Sequence, residues 1–350
     1  MIITDTQPSR RSFLVGAAPT IAGSLAAIGA TRKAQTQRSD LTPNAANPES
    51  RKTWTGEYWA KKGEVSLYMF RKRLGAPKQG QAPLPVLFLA HGSSVSSRPA
   101  FDLSVPGHGE YSLMDKFAEC GFDVWTMDFE GYGRSSRTEG NSNIASGVED
   151  LKAAAEVVAR ETGQERFDFY GESSGALRAG AFVMARPERV HRLVLVSFTW
   201  TGKGSPTLAK RAESLDYYRT HNRRPRDRDM VRSIFTRDKP GTSDPAVADA
   251  VADAELPFGD TAPTGTYLDM TTNLPIVDPL KLRAPVLIAR GEYDGIATEE
   301  DLLNFFKSLP NPDRQFVMIP GATHAVGLGS NRQLLWHATR AFLDMPPRST

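Results

Sequence analysis

The chain is poor in the residue types that cross-link a fold or hold a metal. Cys120 is its only cysteine, so no internal disulfide can form and a thiolate zinc site has little support. Placed before Gly121 and a strand-like run, it reads as a small buried apolar residue rather than a nucleophile. The six histidines, His91, His108, His191, His221, His324 and His337, include no two that stand four apart on one helix. No phosphate-binding loop or nicotinamide site is recognisable, so the expectation is chemistry without a cofactor or a catalytic metal. Long basic runs and aromatic–basic interleaving are missing too, and the formal net charge is only +3, which argues against a nucleic-acid partner.

What is present divides by character. Ser9-Arg10-Arg11-Ser12-Phe13-Leu14 leads into a small apolar stretch ending near Ala30, followed by a polar segment. This resembles a twin-arginine export signal over residues 1–30 with a flexible linker over 31–51. The resemblance implies passage of the folded protein through the twin-arginine machinery to the periplasm or exterior of a bacterium. Several cut sites suit it, Ala30 among them. The apolar part is short and rich in Ala and Gly, so no stable membrane insertion is expected after processing.

From Trp54 to Leu74 the pattern predicts a hairpin turning near Lys62-Gly63, then a Gly/Pro/Gln-rich loop to Pro85. Short apolar runs follow at Pro85–Ala90, Phe122–Met127, Arg166–Tyr170, Val190–Ser197, Ala284–Ala289 and Gln315–Ile319. Helical patterns lie between several of them; Val148, Leu151, Ala155 and Val158 share one face. Fully apolar strands alternating with amphipathic helices predict an α/β fold with a mostly parallel sheet covered on both sides. From 201 to 280 no core strand is evident, and Leu208–Tyr218, Asp229–Phe235 and Pro245–Ala254 look helical. A helical cap over 201–280, inserted in a core made of 52–200 and 281–345, is the economical reading.

The chemistry concentrates at Phe167-Asp168-Phe169-Tyr170-Gly171-Glu172-Ser173-Ser174-Gly175-Ala176, a strand running through Gly-x-Ser-x-Gly into a helix of small residues. A serine presented on so sharp a turn sits on strained backbone, and side chains two residues to either side would crowd it. A serine nucleophile needs a base, and the base an orienting acid. Asp294 follows one predicted strand and His324 the next, at the strand ends that converge on one crevice. Glu292 is the nearest rival acid; Asp313 precedes its strand and should lie at the wrong end. Glu172 is expected to orient the turn or to make a supporting hydrogen bond. For the developing oxyanion, the N–H of Ser174 would pair with one from Ala90-His91-Gly92-Ser93-Ser94, that of Ser93 or alternatively Ser94. His91 is read as a brace for this loop.

These segments, with Asp128-Phe129-Glu130-Gly131-Tyr132-Gly133-Arg134-Ser135, resemble the α/β-hydrolase superfamily from about Trp54 to Leu343. In capped members the lid lies between the sixth and seventh strands, where 201–280 falls. The resemblance implies a serine hydrolase acting on a small or medium carboxylic ester through an acyl-enzyme. Amide, carbamate, lactone or carbon–carbon hydrolysis would use the same triad, and a binding homologue without turnover is the alternative of another class. Phe198, Trp200, Phe258, Tyr267 and Met270 are candidate pocket residues for a partly apolar group. Arg219, Arg223, Arg224, Arg226 and Arg228, interrupted by Asp227 and Asp229, read as a solvated helix surface rather than a clamp for an anion.

Overall fold

The computed structural model describes residues 52–346; the twin-arginine-like segment lies outside them. Eight strands form one sheet: β1 (Thr53–Lys62), β2 (Val65–Leu74), β3 (Val86–Ala90), β4 (Asp123–Met127), β5 (Phe167–Glu172), β6 (Val190–Val196), β7 (Val286–Gly291) and β8 (Arg314–Ile319). Their order across the sheet is β1-β2-β4-β3-β5-β6-β7-β8. The leading hairpin turns through Gly63 at φ 57° and adds β1 and β2 antiparallel to the edge. Every pair from β4 to β8 is parallel.

Side-chain alternation divides each parallel strand between two cores. Leu87 and Leu89 of β3 join Phe117, Leu335 and Trp336, from the helices Leu113–Glu119 and Arg332–Leu343. Val86, Phe88 and Ala90 face the other way, toward Leu151, Leu177 and Phe305, from the helices Ile144–Thr162, Ser174–Ala185 and Glu299–Ser308. Both faces being covered explains why these strands read as unbroken apolar runs. Val148, Leu151, Ala155 and Val158 are all buried, as their spacing requires. Cys120 is half-buried at the edge of its core, more open than expected.

Residues 201–280 run between β6 and β7. Their helices are Pro206–Ala212, Leu215–Thr220, Arg228–Thr236, Pro245–Glu255 and Gly265–Thr272. The expected single helix over Leu208–Tyr218 is broken in two. A strand pair, Arg223–Pro225 against Thr261–Pro263, was not foreseen, because three residues a side are too few to show an alternation. The arginine segment is a solvated surface only in part, at Arg219 and Arg228. Arg224 and Arg226 are buried, because acceptors from elsewhere meet them. Arg226 pairs with the fully buried Glu255 and donates to the carbonyl of Gly259, while Arg224 donates to the carbonyl of Ser93. No helix among the described residues is long and apolar enough to cross a membrane.

The seam between the antiparallel edge and the parallel sheet carries a buried ion pair. Arg71 of β2 grips Asp123 of β4 with two parallel bonds of 2.8 and 2.5 Å, and both residues are at most 2% exposed. Losing one partner strands a buried charge, so Asp123→Ala is expected to cost ~3–5 kcal/mol in urea unfolding. A loss under about 1 kcal/mol would show that Arg71 finds compensation elsewhere.

Candidate active site

β5 ends at Glu172 and a helix begins at Ser174, leaving Ser173 alone on the corner. Its backbone takes φ 58° and ψ −123°, a conformation that is costly for a residue with a Cβ. The glycines on either side permit it. A Cβ on Gly171 would lie 2.6 Å from the carbonyl oxygen of Gly175, and one on Gly175 would overlap the carbonyl oxygen of Ala90. The corner is thus wedged against β3, with the Ser173 side chain facing a cavity.

Two loops from neighbouring strands complete a relay. His324 follows β8, and its Nε2 stands 2.9 Å from Ser173 Oγ. Its Nδ1 lies 2.9 Å from Asp294 Oδ1, in the loop after β7. The carboxylate can only accept, so the ring proton sits on Nδ1 and Nε2 is left to accept from the serine hydroxyl. Asp294 Oδ1 also accepts from the N–H groups of Ile296 and Ala297, at 2.9 and 3.0 Å. Burial pushes the Asp294 carboxyl up, but the His324 charge and these hydrogen bonds outweigh it and hold it below the usual carboxylate range. The rival acids stand elsewhere: Glu292 accepts from the N–H of Gly321, and Asp313 pairs with Arg192.

The His324 loop is itself held. Ser197, at φ 49°, donates its hydroxyl to the His324 carbonyl at 2.9 Å. Asp238, from the segment between β6 and β7, accepts from the His324 N–H at 3.3 Å. Neither residue carried a sequence signal, because each acts on a loop distant in the chain.

The turn after β3 lies against the same corner, where a Cβ on Gly92 would come within 3.3 Å of Ser173 Cβ. Ser93 is fastened on both sides. Its hydroxyl donates to Ser174 Oγ at 2.7 Å and accepts from Thr266 at 2.8 Å, while its carbonyl accepts from Tyr132 and Arg224 at 3.1 Å each. Among the described residues, the N–H groups of Ser93 and Ser94 have no protein acceptor. Ser174 opens its helix, where N–H groups lack partners within the helix. His91 is fully buried and braces this turn, as expected of it. Its Nε2 accepts from the Phe129 N–H, so Nδ1 donates to the Gly92 carbonyl. Burial, aided by the Arg178 charge, pushes the imidazole down to about 3 and keeps it neutral.

The cavity at Ser173 is small, with a volume of about 80 Å³. Its apolar wall comes largely from Phe101, Ile234, Phe235, Val251 and Leu328. None of the five expected pocket residues lines it. Phe198 is fully buried with its ring 4.8 Å from Phe305, and Trp200 packs edge-on against that same ring. Met270 joins the sheet core, and Phe258 borders a separate cleft. Tyr267 lies just behind the wall, against Arg211 and Arg224. The true wall residues are ordinary helix apolar positions in sequence, distinguishable only once the packing of 201–280 is known.

The sheet order, the strand–serine–helix corner and the Ser–His–Asp contacts define an α/β-hydrolase. The profile of the family described as "Serine aminopeptidase, S33" matches residues 107–328, well over half of the chain, and the chain belongs to that family. A 2-hydroxy-6-oxononadienedioate/2-hydroxy-6-oxononatrienedioate hydrolase from Paraburkholderia phymatum is 34% identical over 104 residues, 28% of this chain and 32% of that protein, so the likeness spans about a third of the relative's length. The 2-hydroxy-6-oxo-6-phenylhexa-2,4-dienoate hydrolase of Rhodococcus sp. strain RHA1 matches in structure at TM-score 0.59 and 18% identity, over 84% of this chain and all of the other. The enol-lactonase of Burkholderia xenovorans LB400 does so at 0.59 and 15%, over 82% of this chain and all of the other. Likenesses this remote in sequence report the fold.

Glu172 also lines the cavity, and burial together with the nearby Asp294 charge pushes its carboxyl up to about 7. Between the ordinary carboxylate range and pH ~7 the native state therefore binds a proton that the unfolded chain has released. The stability contributed by that proton is present at low pH and is lost as pH rises through about 7. Glu172→Gln should flatten the decline in unfolding free energy across this window, read by chemical denaturation at pH 5 and 8. An unchanged slope would place the titration on another group.

Proposed function

We propose that the protein is a serine hydrolase that cleaves a small or medium carboxylic ester through an acyl-enzyme. The observation that carries this reading is the unbroken chain of 2.9 Å contacts from Asp294 through His324 to Ser173, with Ser173 facing the cavity from a strained corner. In this reading His324 Nε2 takes the hydroxyl proton as Ser173 Oγ attacks the carbonyl carbon, and Asp294 stabilises the imidazolium. The N–H groups of Ser93 and Ser174 receive the oxyanion; the fastening of Ser93 to Ser174 favours Ser93 over Ser94. His324 returns the proton to the departing alkoxide, and water repeats the sequence to release the acid.

Carbon–carbon hydrolysis is the second reading, favoured by the activities for which the Paraburkholderia and Rhodococcus proteins are named. It uses the same serine, with a carbon leaving group taking the proton. Aminopeptidase activity, the description of the family, draws less support from the site. Its cavity presents Arg211 and Arg237 against the single carboxyl of Glu172, a poor receptor for a substrate ammonium.

Matched p-nitrophenyl esters, p-nitroanilides and a 2-hydroxy-6-oxo dienoate separate the three readings. Ester turnover is expected, falling by at least about 10³-fold in Ser173→Ala and about 10⁴-fold in Asp294→Asn. Turnover that survives intact in Ser173→Ala sinks the mechanism. Faster turnover of the dienoate than of any ester moves the assignment to carbon–carbon cleavage.

Export by the twin-arginine route belongs to the same proposal and rests on Ser9–Leu14 alone. Replacing Arg10 and Arg11 with Lys should retain the protein in the cytoplasm on cell fractionation. Undiminished periplasmic protein in that variant overturns the route.

A further inference from the structure

The cavity is walled partly by positive charge, one member of which no protein carboxylate meets. Arg211, from the helix Pro206–Ala212, and Arg237, following the helix Arg228–Thr236, both line it. Arg237 has an acidic neighbour, with Nε 3.6 Å from Asp238 Oδ1. Arg211 has none. Among the described residues, no carboxylate lies within ion-pair distance of its guanidinium or of the neighbouring Arg224. None of the five N–H donors of Arg211 reaches a protein acceptor either.

Arg211 is held in place by an aromatic face instead. Its guanidinium carbon lies 3.9 Å from the Tyr267 ring centroid, and Arg224 covers the same ring at 4.1 Å. The face contact leaves the donors around the guanidinium edge free. Arg224 turns its Nη2 to the Ser93 carbonyl and, at 3.4 Å, the Ser94 hydroxyl. The field registers on the buried phenol: burial pushes Tyr267 up, yet Arg211, Arg224 and Arg237 together pull it down to about 7. A carboxylate among them would cancel most of that pull. The acids facing this site are Asp238, committed to the His324 N–H, and Glu172, beside Ser173.

A fixed guanidinium fork with free donors, in a walled cavity that also holds the reactive serine, matches a planar two-oxygen anion. We propose that Arg211 binds a carboxylate carried by the substrate, with Arg237 and Arg224 reinforcing the field. The substrate class is thus the esters of organic acids that keep one free carboxylate remote from the scissile bond. This rests on the hydrolase reading above and narrows it.

The test compares p-nitrophenyl half-esters of succinate, glutarate and adipate, together with 4-acetoxybenzoate, against counterparts whose carboxylate is methylated. For at least one pair, kcat/KM of the anionic ester should exceed that of its neutral partner by about tenfold or more. Arg211→Gln should reduce that ratio about tenfold, and Arg211→Lys, which keeps the charge and loses the fork, about threefold. Arg219→Gln, on an exposed face of the same segment, should leave the ratio unchanged. No anionic preference in the native protein, or a ratio insensitive to both Arg211 variants, overturns the proposal. If Arg211→Gln fails to fold, the native ratio and Arg211→Lys still decide.

A second measurement separates this proposal from the hydrolase reading. Millimolar glutarate or adipate should raise the melting temperature of the native protein and of Ser173→Ala, the dimethyl esters should not, and the rise should shrink in Arg211→Lys and vanish in Arg211→Gln. Should every ester go unhydrolysed while this rise persists, the ester reading falls and the carboxylate subsite stands. An absent rise, or an equal one with inorganic phosphate, overturns the carboxylate assignment.

Discussion

Ser173 adopts a backbone conformation that no stretch of sequence would choose for itself, and most of the site exists because the surroundings leave it no other. At φ 58° the residue costs of the order of 1–3 kcal/mol. What enforces it is clearance: Gly171 sits on Gly175, and Gly175 sits on the backbone of β3, with no room for a methyl group at either contact. The strain is therefore held by two neighbouring buried strands of the sheet, β3 and β5. Close backbone packing here also brings the loop after β3 beside Ser173, so one steric constraint places both the serine and the N–H groups around it.

The charges follow a second logic. Where the segment 201–280 meets the sheet, buried arginines have protein partners, Arg226 in Glu255 and Arg224 in the Ser93 carbonyl, with the Nε of each left unbonded. Where it meets the cavity, the half-buried Arg211 has none among the described residues. The contrast matters because charge drawn away from water calls for a partner. Net charge along the sequence conceals this, since the acids that pair with Arg226 and Arg228 lie on the helix Pro245–Glu255.

The legible parts of the molecule were those in which a local pattern and the tertiary structure demand the same residue. β3 to β7 are buried on both faces, so each shows as an apolar run, while β8 at the edge is mostly half-buried; Gly171 and Gly175 are required by contacts within a few residues of one another or with a single neighbouring strand. Asp294 and His324 could be placed because a parallel sheet carries every strand end to one edge. The cavity wall was not legible. Phe198 and Trp200 leave β6 close to the crevice, yet they turn back onto Phe305, while Ile234, Phe235 and Val251 face the cavity from helices whose apolar positions look like any others. Which face of an inserted helix meets a pocket is decided by how that helix docks, and no local period encodes docking.

Glu255 closes this chain of dependence. Its carboxylate is fully buried, takes the Ser96 N–H and hydroxyl at 2.8 and 2.6 Å, and pairs with Arg226, which also donates to the Ser94 carbonyl. The segment over the cavity is therefore riveted to the very loop that presents Ser93. Parting them would break the Arg226–Glu255 pair and the Ser94 and Ser96 hydrogen bonds together. A hinged door is a poor description of such a roof. The segment that walls the cavity is at the same time the beam that holds the Ser93 loop in place.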